Sequence, residues 1–372
     1  MENDKPRILI IENSKKVTGA FKSILLHTTY LRKEFDFQWI IPKKSKIKQD
    51  LIDKNFKVFE IPFIEISRSY LLFWYLPQLV LNAIRILKIS SKEGIDIIHV
   101  NDIYNMVGVL IKWINNSKKI FYHVRLLPDS YIGRFFFVFR YFITRNSDEI
   151  ITVSTAVSKH FDKHQLLIFD SANVDIKSSA NDSIRSGVIN IVYVGAIMTG
   201  KGQDMAIEAF AKASAKNNEL RLSFIGSFDS QEPYYKSLLE KINQYDLSDK
   251  VSFLGFKGEP YQLTFPVDMA LNFSQSESFS LTCLEASLVG IPVIVTDSGG
   301  PRDIVINKKT GFLISNGDVK TAAEKMLCLA ENNSLRKSMG EAGKKFATVK
   351  FKIETQASKL SETYKKHLTA QA

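Results

Sequence analysis

Cysteine is nearly missing from this chain: among 372 residues only Cys283 and Cys328 occur. Two cysteines exclude a disulfide scaffold and fit a reducing, cytoplasmic compartment. Long apolar runs are missing too. The longest, 70–84, is broken by Pro77, Gln78 and Asn82 and falls short of the ~20 apolar residues a spanning helix needs. The first eleven residues pass from charged to strand-like with no signal-peptide core. There is no Gly-x-Ser-x-Gly elbow and no zinc-finger or RNA-recognition signature, so nucleic acid is not an expected partner. His160 and His164 stand four apart, but no Glu follows His160 and no third ligand is evident. They read as a solvated helix face, and no metal site is expected.

What is present is an ordinary globular composition, 45% hydrophobic and 24% charged, long enough for two domains with a core each. The net charge of +11 is uneven: residues 1–180 hold 27 Lys+Arg against 18 Asp+Glu. A basic half points to an anionic partner or serves only solubility.

Strand and helix patterns alternate throughout. Strands are expected at 7–12, 36–41, 56–61, 96–100, 119–124, 149–153 and 166–169, and again at 189–194, 220–225, 251–254, 269–273, 292–296 and 311–314. They are short and apolar on both faces, as buried parallel strands are. Helices are expected at 19–33, 70–92, 104–114, 132–144, 156–163, 203–216, 234–245, 281–289, 301–306, 319–331, 335–348 and 353–367. The polar stretch 170–186 reads as a linker. The fold class is therefore α/β, with two Rossmann-like, doubly wound parallel-sheet domains facing across a cleft. The expected division is 1–178, 179–352, and a last helix, 353–372, returning to the first domain.

The segment 277–314 carries the strongest signal. Glu277 follows a strand in a loop, and Phe279, Ser280 and Leu281 open the next helix, whose unpaired amides make an anion site. Glu285 lies a turn further in, so the two carboxylates suit hydroxyls on either side of a bound phosphate. A second phosphate site is read at 191–210, where a strand runs into Gly195 and Lys201-Gly202 precedes a helix. Glycine permits close backbone approach and lysine neutralises phosphate. Gly195, Gly200 and Lys201 also match a P-loop, except that Gly202 replaces the metal-ligating hydroxyl residue.

In the first half, His99 and His123 end strands, the latter just before Arg125, which directs both toward the cleft. His99 fits a packing role as well. Basic and aromatic residues interleave at 70–75 and 131–145, and Lys43, Lys44, Lys46 and Lys48 cluster. Such surfaces suit an anionic membrane interface, or the helices simply face the core.

Glu277, Glu285, Ala286, Gly290, Pro292, Val293, Gly299, Gly300, Asp303 and Gly311 together resemble the donor-binding signature of glycosyltransferase family 4, retaining enzymes of the GT-B fold. The resemblance implies a C-terminal domain that binds a nucleotide-sugar donor and an N-terminal domain that binds the acceptor. It implies that Glu277 contacts the donor sugar, Glu285 the ribose, and the Phe279, Ser280 and Leu281 amides the distal phosphate, with Ser278 also in the donor site. Turns at Gly226 and at Gly255-Phe256 would face the nucleobase. Gly19 would approach a phosphate, unless it is a plain turn glycine. His123 falls where the family has a cleft histidine. Lys201 and Gly202 match the family's Lys-Gly, but Ala196 stands where an arginine is usual. Lys201 is then expected to carry the diphosphate charge, helped by Arg302 or Arg125. No Asp-x-Asp occurs, so catalysis without a metal or other cofactor is expected. The expected reaction is retaining transfer of a sugar to a saccharide or lipid-linked acceptor in bacterial surface polysaccharide synthesis, in the cytoplasm or at the inner face of the plasma membrane. The rival readings are a P-loop-like NTPase and a catalytically degenerate binding subunit.

Overall fold

A computed structural model describes residues 5–63, 72–130, 133–161, 165–174, 187–258, 260–261 and 263–369. The chain divides into two compact units, one of residues 1–172 with 351–372 and one of residues 173–350. Most of the expected linker lies outside the described residues.

Unit 1 runs β1 (Arg7–Ile11), α1 (Gly19–Leu31), β2 (Asp36–Pro42), α2 (Lys48–Asp53), β3 (Lys57–Ile61), α3 (Leu72–Glu93), β4 (Ile97–Val100), α4 (Val107–Ile114), β5 (Lys119–Val124), α5 (Gly133–Asn146), β6 (Glu149–Thr152), α6 (Thr155–Ser158) and β7 (Leu166–Leu167). The strands form one sheet in the order β3-β2-β1-β4-β5-β6-β7, every pairing parallel. Ile8, Ile10, Trp39 and Ile97 are fully buried in its core, because strands covered on both faces bury every side chain. Helix α1 starts where the Thr18 hydroxyl accepts the Phe21 amide at 3.1 Å, an N-cap of the usual kind.

Unit 2 runs β8 (Ile189–Val194), α7 (Gln203–Ser214), β9 (Leu220–Ile225), α8 (Pro233–Gln244), β10 (Val251–Phe253), β11 (Met269–Asn272), α9 (Leu281–Leu288), β12 (Val293–Thr296), α10 (Pro301–Ile304), β13 (Gly311–Ile314), α11 (Val319–Glu331) and α12 (Asn333–Lys350). Its sheet has the order β10-β9-β8-β11-β12-β13, again all parallel. The order reverses direction between β8 and β11, and ligands of open parallel sheets bind beyond the strand ends at such a point.

The last helix, α13 (Ile353–Thr369), belongs to unit 1 and packs on α1. Ala357, Leu360 and Tyr364, at helical spacing, are fully buried. Tyr364 packs against Phe35, Phe37 and Phe121, and its hydroxyl bonds to His99 Nδ1 at 2.6 Å.

Two expected helices are cut short for reasons visible in their hydrogen bonds. The helix expected at 156–163 is the single turn α6. Its carbonyls are taken by other groups: Arg140 donates to His160 O at 2.6 Å, and Gln165 donates to Ser158 O and Phe161 O. His160 is thus in a turn, and His164 lies outside the described residues. Helix α4 starts at Val107, not at 104, because Asp102 and Asn105 accept the Tyr104 and Val107 amides and hold turns there. Helix α9 starts at Leu281, as the 281–289 pattern has it, while Phe279 and Ser280, read as opening it, precede it, since Ser280 has φ +84, which no α-helix includes. The short helix α2 carries no periodic signal and was not expected.

Candidate active site

The loops after β8 and β11 meet at the reversal in the sheet of unit 2. After β8, the Gly195 amide donates to Ile225 O and the Gly226 amide to Gly255 O, each at 2.9 Å, so the ends of β8, β9 and β10 are tied together. Gly226 is required here: a Cβ would stand 1.9 Å from Gly195 O. Gly202, with φ +74, brings the loop against β11, where a Cβ would lie 2.0 Å from Phe273 O. That contact also explains why no hydroxyl residue occupies the P-loop position. The Tyr193 hydroxyl accepts the Phe273 amide at 2.7 Å and donates to Lys201 O. Buried there, its phenol is held well above the ordinary range.

Lys201 is thereby aimed at the neighbouring loop, and its Nζ lies 2.9 Å from Glu277 Oε2 with both side chains part-buried. Glu277 is fixed by its backbone. Its amide donates to Ser298 O at 2.9 Å, its carbonyl accepts the Gly300 amide at 2.7 Å, and it forms a parallel bridge with Gly299. A Cβ on Gly300 would lie 2.3 Å from Phe279 Cα and Ser278 O, so only glycine lets these loops approach. Ser278, Phe279 and Ser280 have buried side chains. Asn272, buried at the end of β11, donates to Ser280 Oγ at 2.9 Å and pins the left-handed residue before α9. The first-turn amides of α9 lack intrahelical acceptors and its N-terminus carries positive partial charge. Glu285 sits one turn in, half-buried, near Tyr261, whose hydroxyl donates to Thr282 O at 2.8 Å. Burial pushes the Cys283 thiol up to about 12, so it is no nucleophile. Phe256 follows the tied strand ends and is largely exposed.

The sequence singled out the glycines, Lys201 and both glutamates, and the structure brings Lys201 and Glu277 together. It passed over Asn272 and Tyr193, which hold the two loops. Their one signal was a polar group near the carboxyl end of a largely apolar strand.

The candidates elsewhere are placed differently. Arg302 is paired through two nitrogens with Asp297. Arg125, expected to help neutralise phosphate, is buried and committed: it pairs with Asp170, which also accepts from Ser23, and donates to Asn101 Oδ1 at 2.6 Å. His99 is buried against Tyr364, a packing histidine, and burial pushes it down to about 3. His123 is buried too, held well below its ordinary value first by desolvation and then by Arg125. Its Nδ1 lies 3.3 Å from Arg125 Nη2, and its Nε2 has no partner among the described residues. A guanidinium only donates, so Nδ1 accepts and Nε2 carries the proton. Gly19 opens α1, exposed and helical.

Residues 175–346 match the family model of glycosyl transferases group 1. Over these residues the chain is similar to that family. The matched region holds every residue of the Lys201–Glu277 site. An uncharacterised glycosyltransferase of Methanocaldococcus jannaschii is 29% identical over 79% of this chain and 80% of its own length. The capsular polysaccharide biosynthesis glycosyltransferase CapM of Staphylococcus aureus is 30% identical over 47% of this chain and 45% of its own. Anabaena HepE, solved in complex with UDP and glucose, superposes with a TM-score of 0.82 at 20% identity, covering 97% of this chain and all of that one. The fold is GT-B.

Proposed function

We propose that this glycosyltransferase moves a sugar, with retention of configuration, from a nucleoside-diphosphate sugar to a saccharide or lipid-linked glycan, without a metal. The observation that carries this reading is the Lys201–Glu277 pair beside the N-terminus of α9, at the reversal of a parallel sheet. A diphosphate leaving group needs positive charge in place before the bond breaks. Lys201 and the α9 dipole supply it, and Glu277 holds the ammonium in position until the donor arrives. Glu277 then takes the sugar hydroxyls, and Glu285 takes those of the ribose. The acceptor hydroxyl attacks the anomeric carbon from the face that the diphosphate leaves, its proton passing to the departing phosphate oxygen. The His123 Nε2–H is proposed as a hydrogen-bond donor to the saccharide. The likeness to CapM supports a place in surface polysaccharide synthesis, at the inner face of the plasma membrane.

The test is a thermal-shift panel of UDP, GDP, ADP and their sugars, followed by turnover with the best donor. A ligand at 100 times its Kd stabilises by about 2.7 kcal/mol, a readily measured shift. Lys201→Ala should lower turnover by roughly 10²–10³-fold, the usual loss of one preorganised transition-state contact. EDTA should leave it unchanged. No shift with any nucleotide, or full turnover by the variant, overturns the proposal.

A further inference from the structure

Helices α3, α4 and α5 of unit 1 lie side by side, α3 on α4 and α4 on α5. A surface helix ordinarily buries one stripe and shows charge on the other. These do not. Helix α3 buries Leu79, Ala83 and Ile86, yet leaves Trp74 64% and Leu76 66% exposed, with Leu81 exposed as well. Helix α4 leaves Trp113 58% exposed, and α5 leaves Phe137 and Tyr141 more than half exposed. So many exposed apolar side chains on three adjacent helices mark an interaction surface, not ordinary scatter.

Its charge identifies the occupant. The three helices contain seven Lys and Arg, and one acid, Glu93, the last residue of α3. Glu93 is already paired with Lys57, and Lys112 with Asp148, so the uncompensated charge is that of the exposed arginines and lysines of α3 and α5. Arg85 and Lys88 are exposed, and Arg145 stacks over the Tyr141 ring at 3.8 Å. Tryptophan, tyrosine and arginine beside aliphatic residues are the set that settles at the boundary of headgroup and acyl chain, and uncompensated positive charge selects anionic headgroups. Among the described residues no helix is long and apolar enough to cross a membrane, so the contact is with the surface. We propose that the α3–α4–α5 face docks on an anionic lipid bilayer. Docking deepens the transferase reading, on which rests only its use, bringing the chain to a lipid-linked acceptor; the contact itself needs no donor chemistry.

The test is flotation of the full chain with vesicles of about 30% phosphatidylglycerol in phosphatidylcholine, against phosphatidylcholine alone, at physiological salt. Binding to the anionic vesicles is expected, with a blue shift of tryptophan emission from Trp74 and Trp113, since Trp39 is buried already. The combined variant Trp74→Ser, Leu76→Ser, Leu81→Ser, Phe137→Ser, which spares Trp113 because its indole holds Asn146 and Phe142 of α5, should bind about tenfold or more weakly, with its melting temperature and nucleotide-induced shift unchanged. Arg85→Glu with Lys88→Glu should weaken binding to the anionic vesicles. Failure of the wild type to float, or equal binding by the fourfold variant, overturns the proposal. So does sedimentation showing a wild-type dimer that the variant dissolves, since a second copy would then cover the face. A chain that floats but shifts with no nucleotide upholds docking and sinks the transferase reading instead.

Discussion

At position 196 an exposed methyl group stands in the loop beyond β8, where the family pattern has arginine. On the proposed reading this loop holds the phosphate, and Lys201, paired with Glu277, closes its far end. Ala196→Arg should therefore add a second cation to the site. A charge-assisted hydrogen bond in a partly solvated loop contributes about 1 kcal/mol, so the nucleoside diphosphate that stabilises the wild type should bind about fivefold tighter by titration calorimetry. The gain should shrink at high salt. Gly300 tests the opposite edge of the site. Its close approach to the 278–279 backbone leaves no room for a methyl group. Gly300→Ala should thus cost about 1–3 kcal/mol in denaturant unfolding and weaken nucleotide binding by moving the Glu277 backbone. Gly258→Ala, where a Cβ meets nothing within 4 Å, is the matched control and should change stability by less than about 0.5 kcal/mol.

At the scale of elements, α13 is the part of unit 1 supplied from the far end of the chain. Tyr364 is its anchor, fully buried among Phe35, Phe37 and Phe121 and bonded to His99. Tyr364→Ala should destabilise unit 1 by about 3–5 kcal/mol, while Tyr364→Phe, which keeps the ring and leaves His99 Nδ1 unpaired, should cost about 1–3 kcal/mol. Chemical denaturation of both variants separates packing from the hydrogen bond. Helix α13 was legible in the sequence because its apolar residues recur at helical spacing, and the strands were legible because parallel strands are apolar on both faces. What escaped notice depends on partners distant in the chain. Arg140 ends α6 by taking His160 O, and Asn272 holds Ser280 where α9 begins. Lys201 and Glu277 were each readable as candidates from their local motifs. Their pairing, across 76 positions, follows only from the placing of β11 beside β8.

Across the whole molecule the two units answer acid differently. All six histidines lie in unit 1, and His27, His99 and His123 are buried with their proton affinity lowered, chiefly by desolvation. A folded state that resists protonation binds fewer protons than the unfolded chain once pH falls below about 6.5. Stability is therefore full above that pH and is lost progressively below it, for His99 down to about 3. At pH 5 His99 alone costs about 2 kcal/mol, and His27 and His123 add in the same direction. The acids with lowered proton affinity, Glu34, Glu60, Glu93 and Asp318, lose their contribution only at more acid pH. Between pH 7 and pH 5 the histidines thus dominate, and they act on one unit. Scanning calorimetry should show the unit 1 transition falling by about 5 °C or more over this interval, with the unit 2 transition nearly fixed. His123→Gln should flatten the fall, since glutamine does not titrate. Equal shifts of both transitions would place the acid sensitivity outside the buried histidines.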